Sequence, residues 1–181
     1  MAVPDFQSMM LPLLELYSDK QEHGTQEIIE ALSKKLKLTD EEKNELLPSG
    51  KQSKFRNRLG WATIYLMKSG ILKRPSEGKY IITQRGLEVL GEKPRQINMK
   101  YLEKFPEFLE FKQFRTDKSK ATSPDARTLE SSTPQELLES SYQELRRKLS
   151  HDLLERVKQS SPIFFERLVV DLLLKMGYGG S

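Results

Sequence analysis

The stretch that decides the fold is residues 51–83, KQSKFRNRLGWATIYLMKSGILKRPSEGKYIIT. Phe55, Leu59, Ala62 and Leu66 recur at i, i+4, i+7 and i+11, which predicts one apolar stripe on a helix running from about Ser53 to Lys68. Ser69-Gly70 ends that helix. Ile71-Leu72 and Tyr80-Ile81-Ile82 read as two short strands, and Pro75-Ser76-Glu77-Gly78 between them is turn chemistry. A helix that runs straight into such a hairpin is the recognition helix and wing of a winged helix, a helix-turn-helix variant, when two helices precede it.

Two do. Phe6, Met9, Met10, Leu13, Leu16 and Tyr17 have helical spacing, predicting a helix over 5–18. Thr25 is the expected N-cap of a second helix over 25–37, with Ile28, Ile29, Leu32 and Leu36 on one face. Thr39 and Glu42 form a capping box that opens a short helix to about Leu46, closed by Pro48-Ser49-Gly50. After the hairpin, Thr83 caps a helix carrying Leu87, Val89 and Leu90. The expected fold class is therefore mainly α with a small β-hairpin: a winged helix over residues 1–95, followed by a linker and two C-terminal helices.

Residues 96–133 divide into a Phe-rich part, including YLEKFPEFLEFKQF at 101–114, and a polar Ser/Thr/Pro-containing linker over 116–133. Thr133, Pro134 and Glu136 then make a strong helix start, with cap, N1 proline and capping box in order. Leu138, Tyr142, Leu145, Leu149 and Leu153 form a narrow stripe along that helix to about Lys158. Ser161-Pro162 opens a strongly apolar last helix to Met176. Such a helix calls for more packing partners than the sequence supplies, so residues 134–181 read as the helical start of a second, incomplete domain.

Composition narrows the function. There are no cysteines and only two histidines, His23 and His151, which removes thiol chemistry, Cys-ligated metals and a histidine-based triad. Both histidines read as surface or internally satisfied residues. No apolar run reaches the length of a membrane span, and the N-terminus has no basic leader pattern, so a cytoplasmic protein with no membrane partner is expected. The net charge of +4 hides an uneven distribution. Residues 1–50 carry 5 Lys/Arg against 10 Asp/Glu, whereas residues 51–95 carry 11 against 3. A local excess of +8 on the recognition helix and wing is the electrostatic footprint of a polyanion partner.

The cations at the start of the 53–68 helix raise a physical question. A helix N-terminus carries partial positive charge, so Lys51, Lys54, Arg56 and Arg58 cost stability there. That cost is intelligible if helix end and side chains face phosphates together. Arg56 and Asn57 are the expected base readers, since Arg pairs bidentately with guanine and Asn with adenine. Lys73, Arg74 and Lys79 of the wing are expected on the DNA backbone or in the minor groove. The plainer readings are a solvated charged face and lysines that protect a sheet edge. Trp61 and Tyr80 are expected to pack.

No catalytic set emerges. A Mg²⁺ nuclease needs an Asp followed by Glu-x-Lys or Gln-x-Lys on a sheet strand. Glu41-x-Lys43 and Glu110-x-Lys112 have the letters without a strand pattern, and no phosphate-binding glycine loop occurs.

The segment FRNRLGWATIYLMKSGILKRPSEGKYIITQRGLEVL (55–90) resembles the N-terminal winged-helix domain of Mrr-type restriction endonucleases. Its markers are NR-x-GWA, the SGIL helix end and the GKY-x-IT wing. SSPIFFERLVVDLLLKMGYGGS (160–181) independently resembles the opening of that family's catalytic domain. The resemblance implies a modification-dependent, type IV enzyme whose N-terminal part binds duplex DNA, methylated DNA included, and whose C-terminal part cuts it with Mg²⁺. It also implies that the catalytic strands would follow residue 181. Glu166 matches a position that assists the family's metal site but alone holds no ion, so this chain is expected to bind DNA without cutting and to need no cofactor itself. The competing reading is a stand-alone winged-helix regulator, a homodimer paired through residues 134–176.

Overall fold

The computed structural model describes residues 3–116 and 132–178. Most of the expected linker, residues 117–131, and the closing residues 179–181 lie outside the described residues. In chain order the elements are α1 (Phe6–Leu16), β1 (His23–Gly24), α2 (Thr25–Lys35), α3 (Asp40–Asn44), α4 (Lys54–Lys68), β2 (Leu72–Ser76), β3 (Lys79–Ile82), α5 (Gln84–Gly91), α6 (Met99–Leu102), α7 (Pro106–Thr116), α8 (Pro134–Lys158) and α9 (Pro162–Lys175). They fall into two compact units, Met1–Leu137 and Leu138–Ser181.

The first unit is a winged helix. Asp5 starts α1 by accepting the N–H groups of Gln7 and Ser8, which would otherwise be orphan donors at the helix end. Phe6, Met9, Met10, Leu13, Leu14 and Tyr17 are then buried against Phe55, Leu59, Ala62 and Leu66 of α4 and Ile28 and Leu32 of α2. Leu14 joins this buried face, while Leu16 packs against the same core half-buried. The Thr39–Glu42 capping box forms as the sequence indicates. Thr25 does not cap α2; Gly24 occupies that position. Thr25 instead donates through both its N–H and its hydroxyl to the carbonyl of Gly78, each at 3.0 Å. The tip of the wing is thereby tied to the start of α2.

The wing is broader than a lone hairpin. β3 pairs with β2 on one side, Leu72 facing Ile82, and with the two-residue β1 on the other, His23 facing Tyr80. Positive φ at Gly78 allows the tight turn after Glu77. Gly86 serves a different purpose. A Cβ there would lie 2.5 Å from the Ile71 carbonyl and 2.6 Å from Ile82, so only glycine lets α5 sit on the strand ends.

The Phe-rich segment belongs to this core. Ile97, Leu102 and Phe108 are all buried, and the Phe108 ring stands edge-on to Tyr65 of α4 at 5.8 Å between centroids. Arg85 of α5 fixes α7 in place: its guanidinium donates to both Glu107 carboxylate oxygens, at 2.9 and 3.1 Å, and to the Ser69 carbonyl at 2.7 Å. The compact unit thus extends well past residue 95, because α4 keeps an aromatic flank that three helices and a wing leave uncovered.

His23 sits in β1 between two carboxylates, Nε2 at 2.9 Å from Asp19 and Nδ1 at 2.8 Å from Glu27. The hydrogen bond it donates to Asp19, then the one to Glu27, raises its pKa above the ordinary value of about 6.5. A raised histidine pKa stabilises the fold below the unfolded value and loses that contribution as pH rises through the folded one. Asp19 is shifted down by the Gln21 N–H and then by His23, and Glu27 by His23 and then by the Gly24 N–H, so their contribution is lost only as pH falls through their lowered values. Urea midpoints of the wild type and His23→Asn are expected to differ most between about pH 5 and 6.5 and to converge on the alkaline side. An equal gap at pH 6 and pH 9 would contradict the charged cluster.

In the second unit, Leu138, Tyr142, Leu145, Leu149 and Leu153 of α8 are exposed, as are most apolar side chains of α9. Ser161 caps α9 by accepting the Phe164 N–H, and Gly177, with φ near +86°, closes it. No helix among the described residues is long and apolar enough to cross a membrane.

Candidate nucleic-acid interface

The residues expected to meet DNA separate into three groups. Lys51 and Arg56 at the start of α4, and Lys73, Arg74 and Lys79 on the wing, are exposed. Arg56 makes one light contact, donating to the Gln26 side chain of α2 at 3.2 Å. Arg74 and Lys79 lie 3.8 Å from Glu77 and Glu22, in exposed pairs of the kind worth little and easily exchanged. Among the described residues neither Lys51 nor Lys73 forms an ion pair.

Lys54 is intermediate. Its ammonium pairs with Glu45 at 2.8 Å, and its backbone N–H donates to the Glu45 carbonyl, also at 2.8 Å. Arg56 N–H is directed at the Ser53 hydroxyl. The first turn of α4 therefore spends part of its donor capacity internally. Glu45 offsets the lysine that looked unfavourable against the helix dipole.

Asn57 and Arg58, grouped by the sequence with the DNA-facing residues, have their side chains turned inward. Asn57 is 5% exposed; its amide donates to Gln52 at 3.1 Å and its oxygen accepts the Thr133 hydroxyl at 2.6 Å. The Arg58 guanidinium donates to the carbonyls of Val3 (2.6 Å) and Pro4 (3.1 Å) and to the Glu136 carboxylate (2.8 Å). Only 13% of the Arg58 side chain and 11% of the Glu136 side chain are exposed. The capping box read in the sequence at Thr133 and Glu136 is present, with Thr133 N–H donating to Glu136 at 2.7 Å. Its members do more than cap: they hold the first turn of α8 on α4. Sequence spacing had no means of pairing residues 57–58 with 133–136.

The outward face of α4 is set by elimination. Arg56, Gly60 and Ile64, four residues apart, run from the flank of the Phe55/Leu59/Ala62/Leu66 stripe round to its far side, and all are at least partly exposed. Trp61 is half-buried beside Tyr65, their centroids 5.7 Å apart. A glycine inside a helix costs roughly 0.8–1.0 kcal/mol relative to alanine. At Gly60 a Cβ would meet nothing within 4 Å.

Glu166 is exposed on α9, and among the described residues no group of three or more histidine or acidic side chains is arranged to hold a metal ion. The donor set for Mg²⁺ implied by the family resemblance is not assembled among the described residues.

Residues 6–92 match the family described as the Mrr N-terminal domain. The chain is also similar to the type IV methyl-directed restriction enzyme EcoKMrr of Escherichia coli K12, with 31% identity over 194 aligned positions. That alignment covers 99% of this chain and 61% of the relative. No solved structure matches.

Proposed function

We propose that this chain, whose residues 6–92 match the Mrr N-terminal domain family, is the DNA-recognition part of a restriction system and binds duplex DNA through α4 and the wing. The observation that carries this reading is the exposure of Arg56 on α4, of Lys51 just before it, and of Lys73 and Arg74 on the wing, the two elements that a winged helix presents to DNA. Cations so placed release counterions from a duplex, which makes binding strong at low salt and steeply salt-dependent. Methylated DNA is the preferred ligand by analogy with the methyl-directed relative. Cleavage with Mg²⁺ belongs to the longer enzyme that this chain matches in part. By itself the chain binds and does not cut. Residues 1–137 act as the recognition domain and residues 138–181 as the start of the cutting domain.

The test is an anisotropy titration of the chain on matched methylated and unmethylated duplexes across a salt series. Lys51→Ala, Arg56→Ala and Lys73→Ala together are expected to reduce the slope of log affinity against log salt by roughly 0.9 per lost phosphate contact, about 2.7 in all. An unchanged slope removes these residues from the interface. A second reading, a regulator paired through residues 134–176, draws on the exposed leucines of α8. Sedimentation of the chain distinguishes it, since pairing at micromolar concentration is required there.

A further inference from the structure

Four glycines of the first unit have evident reasons. Gly50, Gly70 and Gly78 adopt positive φ, and Gly86 leaves no room for a methyl group. Gly60 has neither. It is not among the residues of positive φ, it lies within the fifteen-residue α4, and the space where its Cβ would stand is open. The isolated fold bears the helix penalty of this glycine with no internal contact in exchange. It also lies on the outward face, one turn beyond Arg56 and one turn before Ile64.

We propose that Gly60 is the point at which the major-groove edge of a bound duplex touches the backbone of α4, with Arg56 beside it as the side chain that reads a base. The proposal rests on the DNA-binding reading above and names its contact point. A helix in the major groove is held off the base edges by the Cβ atoms of its facing residues. Removing the one at the centre of the face lets the helix axis settle closer. The Arg56 fork then reaches base acceptors from one turn away, and the partly exposed Ile64 lies on the far side, suited to apolar contact with a base methyl group. The inward turn of Asn57 and Arg58 strengthens the assignment, because it leaves Arg56 as the base-reading candidate of the first two turns.

The experiment uses the whole chain with Gly60→Ala and Arg56→Ala. Each is titrated on a labelled duplex pool with a randomised core and on duplexes enriched from that pool by the wild type. Gly60→Ala is expected to raise the melting temperature by about 2–4 °C, as an open helix-interior site should. The same change is expected to weaken binding to the enriched duplexes by about tenfold or more, with the salt slope unchanged because no charge is lost. Arg56→Ala should weaken the same duplexes and lower the slope by about 0.9. A stabilised Gly60→Ala that keeps full affinity overturns the proposal, and so does a destabilised one, which would reveal an internal contact. Absence of duplex binding by the wild type at low salt overturns the underlying DNA reading instead, so the two failures are distinct.

Discussion

Arg58→Ala is expected to destabilise the first unit by about 3 kcal/mol, the low end of the cost of stripping one partner from a buried ion pair. The loss has two parts. Glu136 is left as a largely buried carboxylate, and the carbonyls of Val3 and Pro4 lose their guanidinium donor. Arg58→Lys should recover little, because an ammonium cannot span one carboxylate and two carbonyls as a planar fork does. Arg58→Ala combined with Glu136→Ala should cost less than the sum of the two single changes, since neither charge is then orphaned. Urea unfolding of the four proteins measures this coupling. The salt slope of DNA binding, taken where Arg58→Ala is still folded, should remain within one phosphate contact of the wild type. A slope reduced together with an additive stability cycle would return Arg58 to the DNA face.

Phe108→Ala is expected to cost about 3–5 kcal/mol, the usual range for removing a buried phenyl ring. Phe108 is 1% exposed and touches the Tyr65 and Phe111 rings, so its removal opens a cavity against α4. A winged helix complete at residue 95 would feel this change by less than about 0.5 kcal/mol, as for an ordinary surface position. Urea midpoint and cooperativity, followed through Trp61 fluorescence, separate the two. Since α4 carries both Tyr65 and the exposed Arg56, loosening its packing is also expected to weaken duplex binding in proportion to the fraction unfolded.

These two residues mark where reading along the chain succeeded and where it stopped. Phe55, Leu59, Ala62 and Leu66 specify α4 and its buried face because helical periodicity is a local property, expressed in spacing alone. The same holds for the capping boxes at Thr39–Glu42 and Thr133–Glu136 and for the hairpin turn at Gly78. The two-residue β1 escaped notice because His23-Gly24 has no alternation to detect; its strand character comes from pairing with Tyr80 and Lys79. Phe108 was legible as apolar, but its partner Tyr65 lies forty-three residues earlier, and nothing in spacing connects them.

The sequence by itself determined the winged-helix class, the basic character of α4 and the wing, and the resemblance borne out by the Mrr N-terminal match over residues 6–92. Tertiary structure decided which of those basic residues remain available. Charge and residue type place Arg56, Asn57 and Arg58 together as candidates, yet consecutive helix positions point about 100° apart. Arg56 faces outward beside Gly60, while the next two residues meet Thr133 and Glu136. The distinction depends on a contact across more than seventy residues, and such a contact exists only once the chain has folded.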